Sequence, residues 1–305
     1  MTIAIGALAK DSTAIICAAD KSVSFAEKIT WDANATKILL VDNDRLIVMM
    51  SGDEGSVQRV VGKLCEKINS YEREKFRVAC EDAYREAMAE LIDRDVLHPR
   101  LLTRADFNRT ISARQINEYM QTVASAVESY EFPCELLLCG FYDSGQPFVG
   151  QLRSPGVLTD MSRIGFYSIG AAWESAVNRM LWSDSKRTHD LSRVLYDVFD
   201  AKANAEMVPS VGYDWDAAIM TAGSRAKLLP PDTKDLLEKA WAKYNRSPFE
   251  KRDPKTDIAS PPRGWKMLVE TELIRLTTAT PSCASPTSDH TQIADYRTAI
   301  NENRS

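Results

Sequence analysis

Short apolar runs separated by polar breaks characterise the first part of the chain. Residues 2–9 and 13–19 are rich in β-prone residues, and the polar break between them predicts a hairpin. Residues 36–41 and 45–50 form a second such pair across an Asp-Asn-Asp segment, whose side chains favour a tight turn. The chain is therefore predicted to begin with two antiparallel strand pairs.

Helical spacing follows these strands. Apolar residues recur at helical intervals at Val57, Val60, Val61, Leu64 and Ile68. Similar patterns predict helices over residues 76–98 and 107–130, which end at Pro99 and Pro133 because proline does not continue a helix. A switch from strand to helix is expected at Gly52.

The second half of the chain repeats this grouping of strands and helices. Apolar runs predict strands over residues 135–142, 147–152, 166–170, 210–215 and 216–222. Helical spacing predicts helices over residues 172–182, 191–203 and 235–244. The grouped order favours an α+β fold of antiparallel sheets with helices on their outer faces, because a doubly wound parallel sheet would alternate single strands with single helices.

Prolines and polar residues dominate the C-terminal part of the chain. Residues 247–305 contain six prolines and are predicted to form an extension. Within it, residues 265–276 keep an amphipathic helical pattern, and the residues from about 277 onward are expected to be disordered. Residues 1–246 are predicted to form one domain, since 44% hydrophobic residues are enough to bury a sizeable core.

Composition and charge argue against several classes of function. The net charge of −5 is spread without long like-charge runs, so neither a nucleic acid nor a membrane is an expected partner. No apolar stretch approaches the ~20 residues that span a bilayer, and no signal-peptide pattern is present, which predicts a cytoplasmic protein. The six cysteines and three histidines lack ligand spacing, so we expect neither a metal site nor a cofactor.

The first residues of the chain indicate a chemical site. If Met1 is removed, Thr2 becomes the N-terminal residue and combines a hydroxyl nucleophile with an α-amine base, whose reference pKa is about 7.7–8.0. Asp20 and Lys37 supply an acid and a lysine that would complete such a site. Each also has an ordinary interpretation, Asp20 as a solvated strand end and Lys37 as a strand-edge charge that discourages aggregation.

Several segments of the sequence together resemble one protein family. They are TIAIG at residues 2–6, AADK at 18–21, KI at 37–38, MSG at 50–52, LCGFYD at 138–143 and SIG at 168–170. Their order and spacing resemble a divergent, bacterial-like member of the proteasome β-type subunits, which are N-terminal nucleophile hydrolases, over roughly residues 2–222. The resemblance implies a four-layer αββα sandwich, in which two antiparallel sheets lie between helical layers. It also identifies residues 101–130 as the approximate region of a helical insertion into the domain of residues 1–246.

The same resemblance implies roles for five residues. It makes Thr2 the nucleophile, Asp20 the acid that supports it and Lys37 the positive charge beside it. It further implies an oxyanion-stabilising amide at Gly52 and a supporting hydroxyl at Ser210. The implied reaction is hydrolysis of a peptide-type amide bond through an acyl-enzyme. The implied partners are a peptide or protein substrate, further copies of the chain in a homo-oligomeric ring, and, as a candidate, an ATPase regulator.

Two departures from the family pattern leave a second hypothesis open. Ala171 stands where the family has a serine that contacts the terminal amine, and Met207 stands where the family has an aspartate. Loss of partners from a catalytic unit lowers rates by orders of magnitude. The alternative is therefore a catalytically silent structural or assembly protein that retains the fold.

Overall fold

The computed structural model describes residues 2–25, 29–32, 35–113, 117–208 and 211–244. Its strands are β1 (Ile3–Ala9), β2 (Ala14–Asp20), β3 (Ser22–Phe25), β4 (Ile29–Asp32), β5 (Ile38–Val41), β6 (Leu46–Gly52), β7 (Cys134–Phe141), β8 (Pro147–Arg153), β9 (Val157–Asp160), β10 (Phe166–Gly170), β11 (Trp215–Thr221) and β12 (Lys227–Leu228). Its α-helices are α1 (Glu54–Lys67), α2 (Arg73–Ile92), α3 (Arg104–Ser112), α4 (Glu118–Glu128), α5 (Trp173–Trp182), α6 (Leu191–Ala205) and α7 (Pro231–Tyr244).

Two five-stranded antiparallel sheets form the centre of the molecule. The first has the strand order β10-β1-β2-β11-β12, and the second has the order β5-β6-β7-β8-β9. Within the described ranges, each paired strand runs antiparallel to its neighbour. β3 and β4 pair separately as a two-stranded ribbon. The antiparallel pairing expected from the grouped order of strands and helices is confirmed.

Three apolar cores arrange the sheets and helices in layers. β1 contributes Ala4 and Leu8 to a core that also contains Leu137 of β7, so the two sheets face each other. Ile5 lies on the opposite face of β1 and shares a core with Val198 of α6, because alternate strand residues point to opposite faces. The outer face of the second sheet packs on α1 and α2. The predicted αββα sandwich is confirmed.

The predicted switch from strand to helix occurs directly after Gly52. The Asp53 carboxylate accepts a hydrogen bond from the Ser56 N–H at 2.9 Å and caps α1. The apolar face of α1, which includes Val60 and Leu64, packs on the second sheet. The cap sets the point at which β6 ends and thereby the position of Gly52.

The single helix predicted over residues 107–130 is wrong, because the chain forms α3 and α4 there. Asn117 begins the second of these helices: its side-chain oxygen accepts a hydrogen bond from the Met120 N–H at 2.9 Å and caps a new helix. The helix predicted over residues 76–98 is α2, and it ends earlier than predicted, at Ile92. From there the chain continues through a π-helical turn and a 3₁₀ turn to Arg100.

The pairing predicted between residues 210–215 and 216–222 is also wrong: residues 211–214 form no strand, whereas the strand predicted over residues 216–222 forms as β11. This strand pairs with β2 in a register that places Trp215 opposite Asp20, and with the short β12. A local alternating pattern cannot reveal a pairing between residues so far apart in the sequence. The pattern does not predict β3, β4, β9 or β12 either, and none of these is longer than 4 residues.

Some predictions lie outside the described residues. These are the extension over residues 247–305, with its helical segment at 265–276 and its tail from about 277, and the position of Ser210. Among the helices that are described, none combines the length and the apolar character that crossing a bilayer requires. The same ranges contain no group of three or more His, Cys, Asp or Glu side chains that could hold a metal ion.

Candidate active site

Asp20 ends β2, and its carboxylate is fully buried. One oxygen, Oδ1, accepts hydrogen bonds from the Ile3 N–H and the Lys37 ammonium, both at 2.9 Å. The other oxygen, Oδ2, accepts from the N–H groups of Ser22 and Gly212 at 3.3 and 3.1 Å. These donors compensate the carboxylate for the loss of its hydration. Asp20 therefore joins several separate segments of the chain at one point.

Lys37 directly precedes β5 of the second sheet, and its side chain reaches Asp20 of the first sheet. The lysine is buried, and its carbonyl accepts a hydrogen bond from the Met50 N–H of β6 at 3.2 Å. A buried ammonium without its carboxylate is costly, so each partner depends on the other. The ion pair ties the two sheets together at this end of the sandwich.

Thr2 directly precedes β1 and is buried, with 6% of its surface exposed. The Ile3 N–H, which belongs to the peptide unit between Thr2 and Ile3, donates to Asp20. In the neighbouring strand β10, Gly170 lies opposite Ile3, and a Cβ added to Gly170 would lie 2.0 Å from the Thr2 carbonyl oxygen. Contacts with Asp20 and Gly170 thus hold the Thr2 backbone beside the ion pair of Asp20 with Lys37.

This close approach predicts a large effect of one methyl group at Gly170. The residue has φ +94°, which strains any residue with a side chain, and its Cβ would overlap the Thr2 carbonyl. We expect Gly170→Ala to lower the free energy of unfolding by about 2–5 kcal/mol, the sum of roughly 1–2 kcal/mol for the positive φ and roughly 1–3 kcal/mol for overpacking. Urea denaturation measures this difference.

Gly145→Ala is the matched control for that substitution. Gly145 also has a positive φ, +80°, but nothing lies within 4 Å of the position of its Cβ. We expect this variant to lose only the roughly 1–2 kcal/mol that the backbone conformation costs. Equal losses in the two variants would show that Thr2 does not pack against Gly170.

Gly52 ends β6 with φ +120°. The next amide, the Asp53 N–H, donates to the Pro133 carbonyl beside β7 at 2.7 Å. Successive amides of a strand point to opposite edges, so the Gly52 N–H points away from β7. It points to the same edge as the Met50 N–H, which donates to the Lys37 carbonyl. The Gly52 amide is therefore directed towards the edge of the sheet on which Lys37 lies.

Glu135 and Gly212 belong to the site, although the sequence analysis does not assign them to it. The Glu135 carboxylate accepts hydrogen bonds from the Gly170 N–H at 3.2 Å and from the Gln151 side-chain amide at 2.6 Å. A charged residue next to the apolar run of β7 is the sequence signal that could have indicated Glu135. Gly212 carries no such signal, because its role depends on contact with Asp20.

The two departures from the family pattern both face solvent. Ala171 follows Gly170 at the end of β10 and is exposed. Met207 follows α6 and is 72% exposed. Neither side chain offers a hydroxyl or a carboxylate to the site, so the support that the family resemblance implies at these two positions is missing.

The buried thiols do not compete with Thr2 as nucleophiles. Burial raises the pKa of the Cys17 thiol of β2, and the neighbouring Cys139 raises it further. Burial likewise raises the pKa values of the Cys80 and Cys134 thiols. A thiol is a nucleophile chiefly as its thiolate, so these cysteines are inert near neutral pH. The Thr2 hydroxyl is therefore the candidate nucleophile of this site.

Comparison with known proteins supports the predicted resemblance. Residues 2–99 match the family model of the proteasome subunits. The first third of the chain is therefore similar to the proteasome subunits. No curated protein shows significant sequence similarity to it.

Solved structures with a similar fold cover most of this chain. The Anbu (Gly-1) mutant from Hyphomicrobium sp. strain MC1 has a TM-score of 0.56 at 16% identity, over 83% of this chain and 98% of its own. Anbu (ancestral beta-subunit) from Yersinia bercovieri has a TM-score of 0.56 at 13% identity, over 80% of this chain and 94% of its own. Eukaryotic HslV from Trypanosoma brucei is less similar, with a TM-score of 0.47 at 15% identity, over 72% of this chain and 99% of its own.

The sequence match and the structural match of this chain differ in extent. The match to the family model ends at residue 99, whereas the similarity to the Anbu structures covers most of the chain. Ala171 and Met207 both lie beyond the matched segment. The fold shared with the Anbu structures therefore extends beyond the residues that the family model matches.

Proposed function

We propose that this proteasome-type chain is a threonine-type hydrolase, a peptidase or amidase, that cleaves peptide-type amide bonds through an acyl-enzyme on Thr2. The observation that carries the proposal is the buried Asp20 carboxylate, which binds both the amide following Thr2 and the Lys37 ammonium. Asp20 and Lys37 thus lie beside the residue that would combine a hydroxyl with a free amine. The family match over residues 2–99 supports the same class of reaction.

The first half of the proposed reaction forms the acyl-enzyme. Removal of Met1 leaves Thr2 with a free α-amine, which takes the proton of Oγ1 as that oxygen attacks the substrate carbonyl carbon. A second positive charge beside the Lys37 ammonium is unfavourable, which keeps the amine available as a base. The Gly52 N–H donates to the oxyanion that forms.

The second half releases the products. The carbon–nitrogen bond breaks, the departing amine takes the proton held by the α-ammonium, and the acyl group stays on Thr2 as an ester. Water then attacks the ester while the α-amine accepts its proton. Collapse of that intermediate returns the proton to Oγ1 and frees the acid product. Asp20 holds Lys37 and the Thr2 backbone in place throughout.

A catalytically silent assembly protein with the same fold is the second candidate function. The observation that favours it is the exposure of Ala171 and Met207, which supply no polar group to the site. Residues of a catalytic unit act together, so missing partners can lower the rate to a negligible value.

Intact-mass measurement separates these two candidates. Protein purified from its native host is weighed before and after treatment with a threonine-directed electrophile, an epoxyketone or a β-lactone. We expect a mass without Met1 and one adduct per chain, which peptide sequencing places on Thr2. Thr2→Ala, which keeps the amine but lacks the hydroxyl, is the control and should form no adduct. Retention of Met1, or a mature chain without an adduct, would exclude the threonine mechanism and favour the assembly role.

We further propose that the chain assembles into a homo-oligomeric ring in the cytoplasm, where it acts on peptide or protein substrates with an ATPase as regulator. The match to the proteasome subunits supports this assembly, and so does the fold shared with a protein described as an ancestral beta-subunit. A strictly monomeric particle in mass photometry would contradict the ring.

A further inference from the structure

Lys202 lies in the last turn of α6, and its side chain is only 1% exposed. Its ammonium binds the Glu206 carboxylate, four positions further along the chain, and the backbone carbonyl of Tyr213 at 2.5 Å. Tyr213 belongs to the segment between α6 and β11. A buried ammonium is costly unless such partners stay in place, so Lys202 fixes Tyr213 relative to α6.

The segment that Lys202 holds is the one that supplies an amide to the candidate site. Gly212, the residue before Tyr213, donates its N–H to Asp20 Oδ2 at 3.1 Å. The carbonyl of Asp214, the residue after Tyr213, accepts a hydrogen bond from the amide next to Asp20 at 2.9 Å. Lys202 therefore holds Tyr213, whose two neighbours bind the Asp20 carboxylate and the backbone N–H of Lys21 beside it.

The same region lacks the aspartate that the family resemblance implies at position 207. The preceding residue, Glu206, has a side chain only 22% exposed, whereas Met207 faces solvent. Burial raises the pKa of the Glu206 carboxyl, Lys202 opposes that rise, and the negative charges of Glu238 and then Asp20 add to it. The carboxylate next to Met207 is thus directed to Lys202.

We propose that Lys202, paired with Glu206, is a positioning residue for Asp20. It holds the Tyr213 carbonyl and thereby keeps the Gly212 N–H on the carboxylate that supports Thr2. Its effect on catalysis rests on the proposed function, whereas its effect on the Gly212 amide rests on the geometry alone.

Lys234 offers a matched control for Lys202. The two ammonium groups lie at similar distances from the centre of the Trp215 ring, 6.0 Å for Lys202 and 5.9 Å for Lys234. Lys234 pairs with the carboxylates of Asp214 and Asp216 at 3.5 and 3.3 Å. Lys234 therefore contacts the start of β11 only through side-chain carboxylates, whereas Lys202 binds a backbone carbonyl, that of Tyr213.

The kinetic test compares Lys202→Met with Lys234→Met in the full chain, with a β-lactone as the probe that acylates Thr2. We expect Lys202→Met to lower the maximal acylation rate on the order of 100-fold, because a small displacement of a catalytic group has about that effect. The half-saturating concentration of the lactone should not change, since Lys202 acts through Asp20. Lys234→Met should acylate at the wild-type rate, and Lys202→Arg should recover part of the loss. Equal acylation by the two methionine variants overturns the positioning role.

Hydrogen exchange at the Gly212 amide gives a readout that does not depend on activity. We expect this amide to exchange roughly tenfold faster in Lys202→Met than in the wild type, because its hydrogen bond to Asp20 opens more often. Lys234→Met should leave its exchange unchanged. Unchanged exchange in Lys202→Met overturns the proposal. Faster exchange in a protein whose wild type forms no Thr2 adduct upholds the positioning of Gly212 and overturns the proposed function instead.

If Lys202→Met does not fold, Glu206→Gln tests the same ion pair from its other side. Glutamine keeps an oxygen acceptor for Lys202 but removes the negative charge, so we expect smaller changes in the same direction for acylation and exchange. A folded Glu206→Gln protein with wild-type values for both would also overturn the role of the pair.

Discussion

Replacement of Thr2 by alanine is expected to lower the rate of amide hydrolysis on the order of 10⁴-fold or more, because it removes the oxygen that carries the acyl group. Thr2→Ser should keep a measurable rate, since serine retains both the hydroxyl and the α-amine. Turnover of a peptide amide by the mature chain measures both effects. Stability should change little in either variant, because the backbone that contacts Asp20 and Gly170 remains.

Thr13→Ala serves as the control for removal of a threonine hydroxyl elsewhere. Thr13 lies in the turn between β1 and β2, where its hydroxyl donates to the Lys10 carbonyl at 2.6 Å. This variant should hydrolyse the peptide amide at the wild-type rate. Substantial turnover by Thr2→Ala would mean that another residue is the nucleophile.

Asp20→Asn is expected to lower activity and stability together. Asparagine keeps one acceptor oxygen, but its NH2 group cannot accept hydrogen bonds from the donors that bind the other carboxylate oxygen, and the buried Lys37 ammonium is left without a counter-charge. Breaking a buried ion pair on one side lowers the free energy of unfolding by about 3–5 kcal/mol. Acylation of Thr2 should also fail, because Lys37 and the Thr2 backbone lose their common partner. Urea denaturation and β-lactone labelling measure the two effects.

Asp200→Asn is the control that separates a lower free energy of unfolding from a lower rate of Thr2 acylation. Asp200 is a second buried carboxylate, on α6, and it binds Arg179 and the indole N–H of Trp241 at 2.5 and 3.3 Å. Its asparagine variant should lose a comparable amount of stability while the folded fraction still acylates Thr2. If folded Asp20→Asn also acylates at the wild-type rate, Asp20 is a structural residue and not part of the catalytic machinery.

Local periodicity was enough to predict most of the fold. The apolar runs of β1, β2 and β5–β8 and the helical spacing of α1 and α2 are visible in the sequence, because a strand repeats every second residue and a helix every three to four. The prediction failed over residues 210–215, because β11, the strand predicted over residues 216–222, pairs with β2 across a long stretch of chain and not with a strand before it. It failed at α4 as well, where the cap of Asn117 divides a continuous apolar pattern into two helices.

Some residues of the candidate site could likewise be predicted from the sequence, whereas others could be found only in the structure. Thr2, Asp20 and Lys37 lie in motifs that the sequence displays, and the structure joins Asp20 directly to Lys37 and to the amide that follows Thr2. Nothing in the sequence indicates Gly212 or Lys202, because each acts through a contact that only the folded chain brings about.

The sequence by itself thus determined the order of the elements and the reactive groups near the N-terminus, since both depend on residues that are neighbours along the chain. Only the tertiary structure decided which donors surround Asp20 and which lysine steadies the segment carrying Gly212. The physical reason is that one buried carboxylate needs several donors at once. The packing of the two sheets and α6 brings those donors together from distant parts of the chain.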